Sequence, residues 1–215
     1  MTKPSKVFIV DDHDIVRFGL GLMIDGHAQM QVIGASSSLQ TALLGIHQQQ
    51  PDLVISDLGL SDSKGLDTVR AVVAAQQGRP TLFVSMHEEG IYAEQAILLG
   101  ARGFLMKDCA IEHVVAAALM ILGGDIWLSP RINTRLIARA SSIGQRRSDA
   151  SEETPLSSRE MQVLEQLGSG KTTKQIAFDL GISPRTIDIH RARLKQKLGV
   201  HSSSELIAYA VAHLG

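Results

Sequence analysis

Over the first 125 positions the apolar residues fall into short runs, separated by longer segments in which they recur every three or four residues. The short runs cover residues 7–10, 31–35, 53–56, 81–85 and 103–106, and they are rich in Val, Ile, Leu and Phe. Helical periodicity is clearest at 39–47, 66–75, 91–99 and 111–122. Five strands alternating with five helices predict an α/β domain built on a parallel, doubly wound (flavodoxin-like) sheet. Continuous apolar strands such as Val7-Phe8-Ile9-Val10 suit a sheet covered on both faces. Folds of this kind gather their sites at the carboxyl ends of the strands.

The pattern breaks at 140–154. ASSIGQRRSDASEET holds four serines and five charges, and Ile143 is its one large apolar residue. It cannot bury enough surface to offset the entropy of ordering, so it reads as a linker. Residues 131–139 before it extend the first domain as a helix. The chain therefore divides into a domain at 1–125, an extension helix and linker at 126–154, and a second domain at 155–215.

Helical signals resume after Pro155. Ser157 or Ser158 can cap a helix carrying Met161, Val163, Leu164 and Leu167, which stops at Gly168. A second helix covers 173–180 and ends at Gly181. Ser183 then caps a third, with Pro184 at its first position, running to Leu198 and stopping at Gly199. A fourth begins near 202–204 and carries Leu206, Ile207, Tyr209, Ala210 and Leu214. Short helices joined by a tight Gly-containing turn, inside a four-helix all-α unit, describe a helix-turn-helix module.

Charge separates the two halves. Residues 1–130 hold 8 Lys/Arg against 14 Asp/Glu, and residues 131–215 hold 13 against 8, so a net −1 conceals −6 and +5. A cation suits the acidic half and nucleic acid the basic half. No run approaches 18 consecutive apolar residues, and the N-terminal apolar run is too short for a signal segment. The single cysteine, Cys109, excludes an intramolecular disulfide and fits a reducing compartment, where it serves as a small buried hydrophobe. The expected location is cytoplasmic, away from any membrane.

Three carboxylates fall at strand ends: Asp11 and Asp12 after the first strand, Asp57 after the third. Clustered carboxylates repel unless a cation neutralises them, and hard oxygen ligands select Mg²⁺. Ser85 ends the fourth strand and Lys107 follows the fifth, adding a hydroxyl and an ammonium that can hold a phosphoryl oxygen. Residues 5–125 resemble the receiver domain of two-component response regulators. The matching stretches are Phe8-Ile9-Val10-Asp11-Asp12-His13, Val54-Ile55-Ser56-Asp57-Leu58, Val84-Ser85-Met86-His87-Glu88-Glu89 and Gly103-Phe104-Leu105-Met106-Lys107-Asp108. The separation of 22 between Ser85 and Lys107 is also the family's usual one. The resemblance implies that Asp57 accepts a phosphoryl group from a histidine kinase, as a covalent nucleophile. It also implies that Asp11, Asp12, Asp57 and the Gly59 carbonyl hold Mg²⁺, that Lys107 and Ser85 engage the phosphoryl group, and that Phe104 is the aromatic that swings inward in response. One position departs from the family: Ser61 stands where Pro is usual, in a loop whose length is kept, since Gly65 lies eight residues after Asp57. Losing Pro is expected to loosen that loop.

Five of the six charges between Pro184 and Lys197 are positive: Arg185, Arg191, Arg193, Lys195 and Lys197, with Asp188 the exception. Such a helix has the electrostatic footprint of phosphate binding. Residues 155–215 resemble the LuxR-type DNA-binding domain, through Leu156-Ser157-Ser158-Arg159-Glu160, Lys174-Gln175-Ile176-Ala177, Ile182-Ser183-Pro184-Arg185-Thr186-Ile187-Asp188-Ile189-His190-Arg191 and Lys197-Leu198-Gly199-Val200. Receiver plus this module is the arrangement of the NarL/FixJ class. The resemblance implies that the third helix enters the major groove of double-stranded DNA, where sequence can be read. Asp188, Ile189 and Ala192 would face base edges, with Arg191 in reach. Thr172, Arg185, Thr186 and Lys195 would contact phosphates. Ile187, Leu194 and Leu198 fall at core spacing, and His190 reads as structural or phosphate-contacting, with no second metal ligand spaced to help it.

The sequence thus points to a phosphorylation-activated transcription regulator rather than an enzyme, working as a homodimer with a cognate histidine kinase and RNA polymerase as partners. The helix at 204–214 is expected to supply the dimer contact. Three alternatives compete. A phosphatase of the haloacid-dehalogenase type would need an acid two residues after its nucleophile, where Gly59 stands. A ligand-sensing LuxR protein would need an aromatic-lined pocket, yet residues 1–130 hold a single Trp and a single Tyr. A receiver that switches without phosphorylation would not need so complete a pocket. The linker supplies the first testable expectation: limited proteolysis should cut first within 140–154 and leave two folded pieces. Mass spectrometry of the fragments checks this, and primary cleavage inside 155–215 would place the boundary elsewhere.

Overall fold

The computed structural model describes residues 3–86, 89–107, 112–130, 132–134 and 156–214. Two compact units emerge, residues 1–141 and 142–215. The expected linker at 140–154, most of the extension helix and Cys109 lie outside the described residues. Among those described, no helix is long and apolar enough to cross a membrane.

In the first unit, β1 (Ser5–Val10), β2 (Met30–Ser36), β3 (Leu53–Ser56), β6 (Thr81–Ser85) and β7 (Gly103–Met106) form one parallel sheet in the order β2-β1-β3-β6-β7. Helices α1 (Asp14–Asp25), α2 (Leu39–Gln49), α3 (Gly65–Gln76), α4 (Glu89–Leu98) and α5 (Glu112–Leu122) alternate with the strands. Because side chains alternate along a strand, Val7 and Ile9 join Leu20, Ile24, Val114 and Ile121 in one core layer. Phe8 points the other way, into a slot that two glycines create. A Cβ on Gly34 would lie 2.6 Å from the Phe8 ring, and one on Gly45 equally close.

Strand register brings the polar residues together. Val10 pairs with Ser56, so the next residues, Asp11 and Asp57, emerge side by side at the β1/β3 crossover, where the Asp57 N–H donates to the Val10 carbonyl at 2.8 Å. On the far side Ser85 pairs with Met106, and the Lys107 N–H donates to the Ser85 carbonyl at 2.8 Å. This edge is the topological switch point of the sheet.

The first unit continues past residue 125. Trp127 forms a parallel bridge with Gly103, accepting from the Phe104 N–H at 3.2 Å and donating to the Arg102 carbonyl at 2.9 Å. Gly103 permits this approach, since a Cβ there would lie 3.3 Å from that of Trp127 and 2.6 Å from Ile121. Ile132 beyond it is buried, and residues 132–134 are helical.

The second unit packs α6 (Ser158–Gly168), α7 (Thr173–Asp179), α8 (Pro184–Leu198) and α9 (Ser203–Leu214) around Met161, Leu164, Ile176, Ile187, Leu194, Leu206 and Ala210. Ser157 caps α6 and Ser183 caps α8, with Pro184 in the first turn and Gly199 closing α8 in the left-handed region at φ 65°. Gly168 does more than end α6. A Cβ there would meet the Ala210 carbonyl at 2.7 Å, so this glycine lets α6 and α9 touch.

Glu160 holds α6 to α8. Its carboxylate closes a capping box with Ser157 and pairs with Lys197 at 2.6 Å while 3% exposed. Burial alone would raise its pKa, but the Lys197 ammonium and the Ser157 donors outweigh burial and hold it below the usual carboxylate range. The stabilisation is therefore present at neutral pH and is lost as pH falls through the depressed value. Glu160→Ala should destabilise the second unit by about 3 kcal/mol, since it strands a half-buried ammonium and removes a cap. Hydrogen exchange of α6 and α8 in the full chain should show that loss at pH 7 and a much smaller difference in strong acid.

Candidate phosphoacceptor pocket and nucleic-acid interface

At the switch point Asp11 and Asp57 are buried, and the Lys107 Nζ bridges them, 2.7 Å from Asp11 Oδ2 and 2.6 Å from Asp57 Oδ2. Burial works against the ammonium, yet its bonds to the two carboxylates prevail and hold the Lys107 pKa above the usual lysine value. Asp57 Oδ1 accepts from the Leu58 N–H at 2.6 Å and from the Gly59 N–H at 3.2 Å. Asp12 is the outlying member. Its Oδ1 is buried and receives no well-formed hydrogen bond, though the His13 Nδ1 lies 2.8 Å away. Asp11, Asp12, His13 and Asp57 each offer one ligand atom, all within 4.8 Å of one another. Three carboxylates against one ammonium make a donor set that fits a hard divalent cation.

The other expected pocket residues sit around this centre. Ser85 is fully buried at the end of β6, and the Phe104 ring is fully buried within β7. Gly59 lies in β4 (Gly59–Leu60), which pairs with β5 (Ser63–Lys64) as a short hairpin after the phosphoacceptor strand. Pairing alternates along an antiparallel ladder, and the Gly65 N–H donates to the Leu58 carbonyl at 3.0 Å. Gly59 therefore falls at a non-bonded position, where the ladder does not consume its carbonyl. Ser61 and Asp62 form the two-residue turn of this hairpin, and the Asp62 carboxylate accepts from the Leu39 and Gln40 N–H groups of α2 at 2.8 and 3.0 Å. His13 and Asp62 carried no role in the sequence reading. His13 stood beside the acidic pair as a visible signal; Asp62 had none, because its partners lie 22 and 23 residues away.

In the second unit Asp188, Ile189 and Ala192 are exposed on α8, beside exposed Arg185 and partly exposed Thr186 and Lys195. Ile187 and Leu194 are buried, while Leu198 is only partly covered. The basic residues divide into two groups. Lys197 pairs with Glu160, and an Arg191 guanidinium N–H donates to the Thr173 hydroxyl at 2.7 Å, fixing α8 against α7. Arg185, Arg193 and Lys195 occupy the remaining surface, the two arginines exposed and Lys195 partly so. Thr172 is exposed but already employed, capping α7 in a box with Gln175. His190 is partly buried, its Nδ1 without a partner, and burial together with Arg159 and Arg193 lowers its pKa against the pull of Glu160.

Comparison with known proteins assigns a family to each domain. Residues 7–119 match the response regulator receiver domain, and residues 154–210 match the luxR family of bacterial regulatory proteins. The transcriptional regulatory protein UhpA of Salmonella typhimurium is 34% identical over 200 residues, covering 93% of this chain and 94% of its own length. The Fimbriae Z protein of the same organism is 34% identical over 212 residues and 98% of each chain. Among solved structures, RcsB from Salmonella enterica serovar Typhimurium, bound to promoter rprA in the presence of phosphomimetic BeF3-, shares the fold with a TM-score of 0.72 and 22% identity, covering 97% of this chain and 99% of its own. The chain belongs to the two-component response regulators of the NarL/FixJ class, DNA-binding transcription regulators that join a receiver domain to a LuxR-type helix-turn-helix domain.

Proposed function

We propose that Asp57 is the phosphoacceptor of this regulator, taking its phosphoryl group from a histidine kinase in a Mg²⁺-dependent step that controls DNA binding. The convergence of Asp11, Asp12, Asp57 and Lys107 at one strand edge, with ligand atoms of the three carboxylates close enough to share one ion, carries this reading. Asp11, Asp12, Asp57 and the Gly59 carbonyl would hold the cation, which when bound supplies neutralising charge to the acids and to the incoming phosphoryl oxygens. Two backbone N–H groups tie Asp57 Oδ1, so Oδ2 is the oxygen left to attack phosphorus as the bond to the kinase imidazole breaks. Lys107 is placed to exchange its contact with Oδ2 for a phosphoryl oxygen. Ser85, buried at the end of β6, and Phe104, buried within the adjacent β7, would register the new group and shift a two-state equilibrium of the domain.

The readout is DNA. Arg185, Lys195, Thr186 and Thr172 would meet phosphates, while Asp188, Ile189, Ala192 and Arg191 would lie along base edges in the major groove. A homodimer on paired half-sites fits this class, and RcsB is described as two dimers bound to two parallel DNAs. RNA polymerase is the expected further partner.

With a small phosphodonor and Mg²⁺, the chain should gain one acid-stable, base-labile acyl phosphate, and Asp57→Asn should gain none. Intact mass spectrometry after acid or base treatment reads this, and phosphate on Ser or His residues would sink the assignment. Lys107→Ala should still be phosphorylated but should lose the effect of phosphorylation on DNA affinity.

For DNA, Arg185→Ala and Lys195→Ala should each weaken all sequences alike and lower the salt slope of log K by roughly 1. Asp188→Ala should raise affinity for random duplex by removing a negative charge, and should relax preference at one position by about 1–3 kcal/mol if Asp188 reads a base. Salt titrations on operator and random duplexes check both. No change in any of the three variants would remove α8 from the interface.

A further inference from the structure

We propose that Asp62 is a positioning residue for the cation site: its carboxylate pins the tip of the β4–β5 hairpin to the first turn of α2 and so fixes where the Gly59 carbonyl lies. The proposal rests on the reading of the acidic pocket given above and names a residue outside it.

The hairpin cannot hold its own shape. Each of its strands is two residues long, far below what is independently stable. Its turn residues, Ser61 and Asp62, are absent from the positive-φ residues found among those described. The turn is thus not one of the primed types whose twist matches the flanking strands. External anchors set its geometry instead. At the base, the Gly65 N–H and the Thr68 hydroxyl both donate to the Leu58 carbonyl, each at 3.0 Å, and Thr68 Oγ1 lies 2.9 Å from Ser63 Oγ. At the tip, the Asp62 carboxylate takes the Leu39 and Gln40 N–H groups at 2.8 and 3.0 Å.

Those two N–H groups are orphan donors of the first helical turn, and the third, on Thr41, bonds the Ser38 hydroxyl. Asp62 therefore completes the α2 cap from a distant loop, with its charge at the favourable end of the helix dipole. The same two bonds hold its pKa below the usual carboxylate range. Gly59 lies between base and tip, and its N–H also bonds Asp57 Oδ1 at 3.2 Å. Releasing the tip would free the carbonyl proposed to bind the cation and loosen one of two donors that orient the phosphoacceptor. Ser61 stands where receivers usually carry Pro, so the stiffness that a fixed φ would give this loop is supplied here by a tether.

The experiment titrates the full chain with Mn²⁺, counting free ion by electron paramagnetic resonance, beside a thermal melt of each variant. Asp62→Ala should weaken Mn²⁺ binding about tenfold, as loss of an outer-shell support does. Asp62→Asn keeps one acceptor and should lose less. Ser61→Pro added to Asp62→Ala should recover part of the affinity by restricting the loop directly. Weakened binding that either companion variant recovers supports the proposal. Unchanged Mn²⁺ affinity in Asp62→Ala overturns it, as does a loss that neither companion recovers. Wild-type chain that binds no Mn²⁺, or binding that survives Asp12→Ala undiminished, would instead bring down the pocket reading itself.

Discussion

One buried ammonium between two buried carboxylates makes the acidic edge of the sheet possible. Asp11 and Asp57 leave adjacent strands at paired register positions, so the fold presses two negative charges together in a place of low solvent access. Unpaired, each would cost several kcal/mol to bury or would take up a proton. Lys107, at the end of β7, reaches both at hydrogen-bond distance and offsets their charge. The same contact makes the site responsive. An ammonium held by charge alone is drawn to whatever anion arrives, and Lys107 leads directly back through its backbone to Ser85 and along β7 to Phe104. Chemistry and signal therefore share one residue.

The edge of β7 is bonded to the end of the domain. Phe104 gives its N–H to the Trp127 carbonyl, so the strand holding the buried aromatic is also bonded to the segment that leaves the first unit. Gly103 allows the two backbones to lie this close. A shift of β7 cannot leave residues 126–128 untouched, which gives coupling a physical element in place of a notion of transmission.

In the second unit the helix proposed to face DNA is held by some of the charges that its composition offers. Lys197 and Arg191 spend donors on Glu160 and Thr173, locking α8 against α6 and α7. The basic side chains left on the helix surface are fewer than the charge count suggests: Arg185, Arg193 and Lys195. A recognition helix must be rigid as well as basic, because base-edge bonds tolerate little misplacement.

Much of this architecture is legible in the chain because local rules agree with the global fold. Apolar runs of four or five residues mark the strands, Ser183-Pro184 and Gly199 mark the ends of α8, and polar residues placed only at strand ends mark the pocket. Each of these signals lives within a few residues, where periodicity, capping chemistry and turn preference act. The Asp62 tether, the Trp127 bridge and the pairing of Lys197 with Glu160 are different in kind. They join residues between 22 and 37 positions apart, or depend on whether a carboxylate at a loop tip happens to meet a helix end. Sequence by itself determined which residues could bind a cation, accept a phosphoryl group or meet DNA. Tertiary structure decided which of them are free to do so, because a side chain's partners are set by what the fold brings beside it.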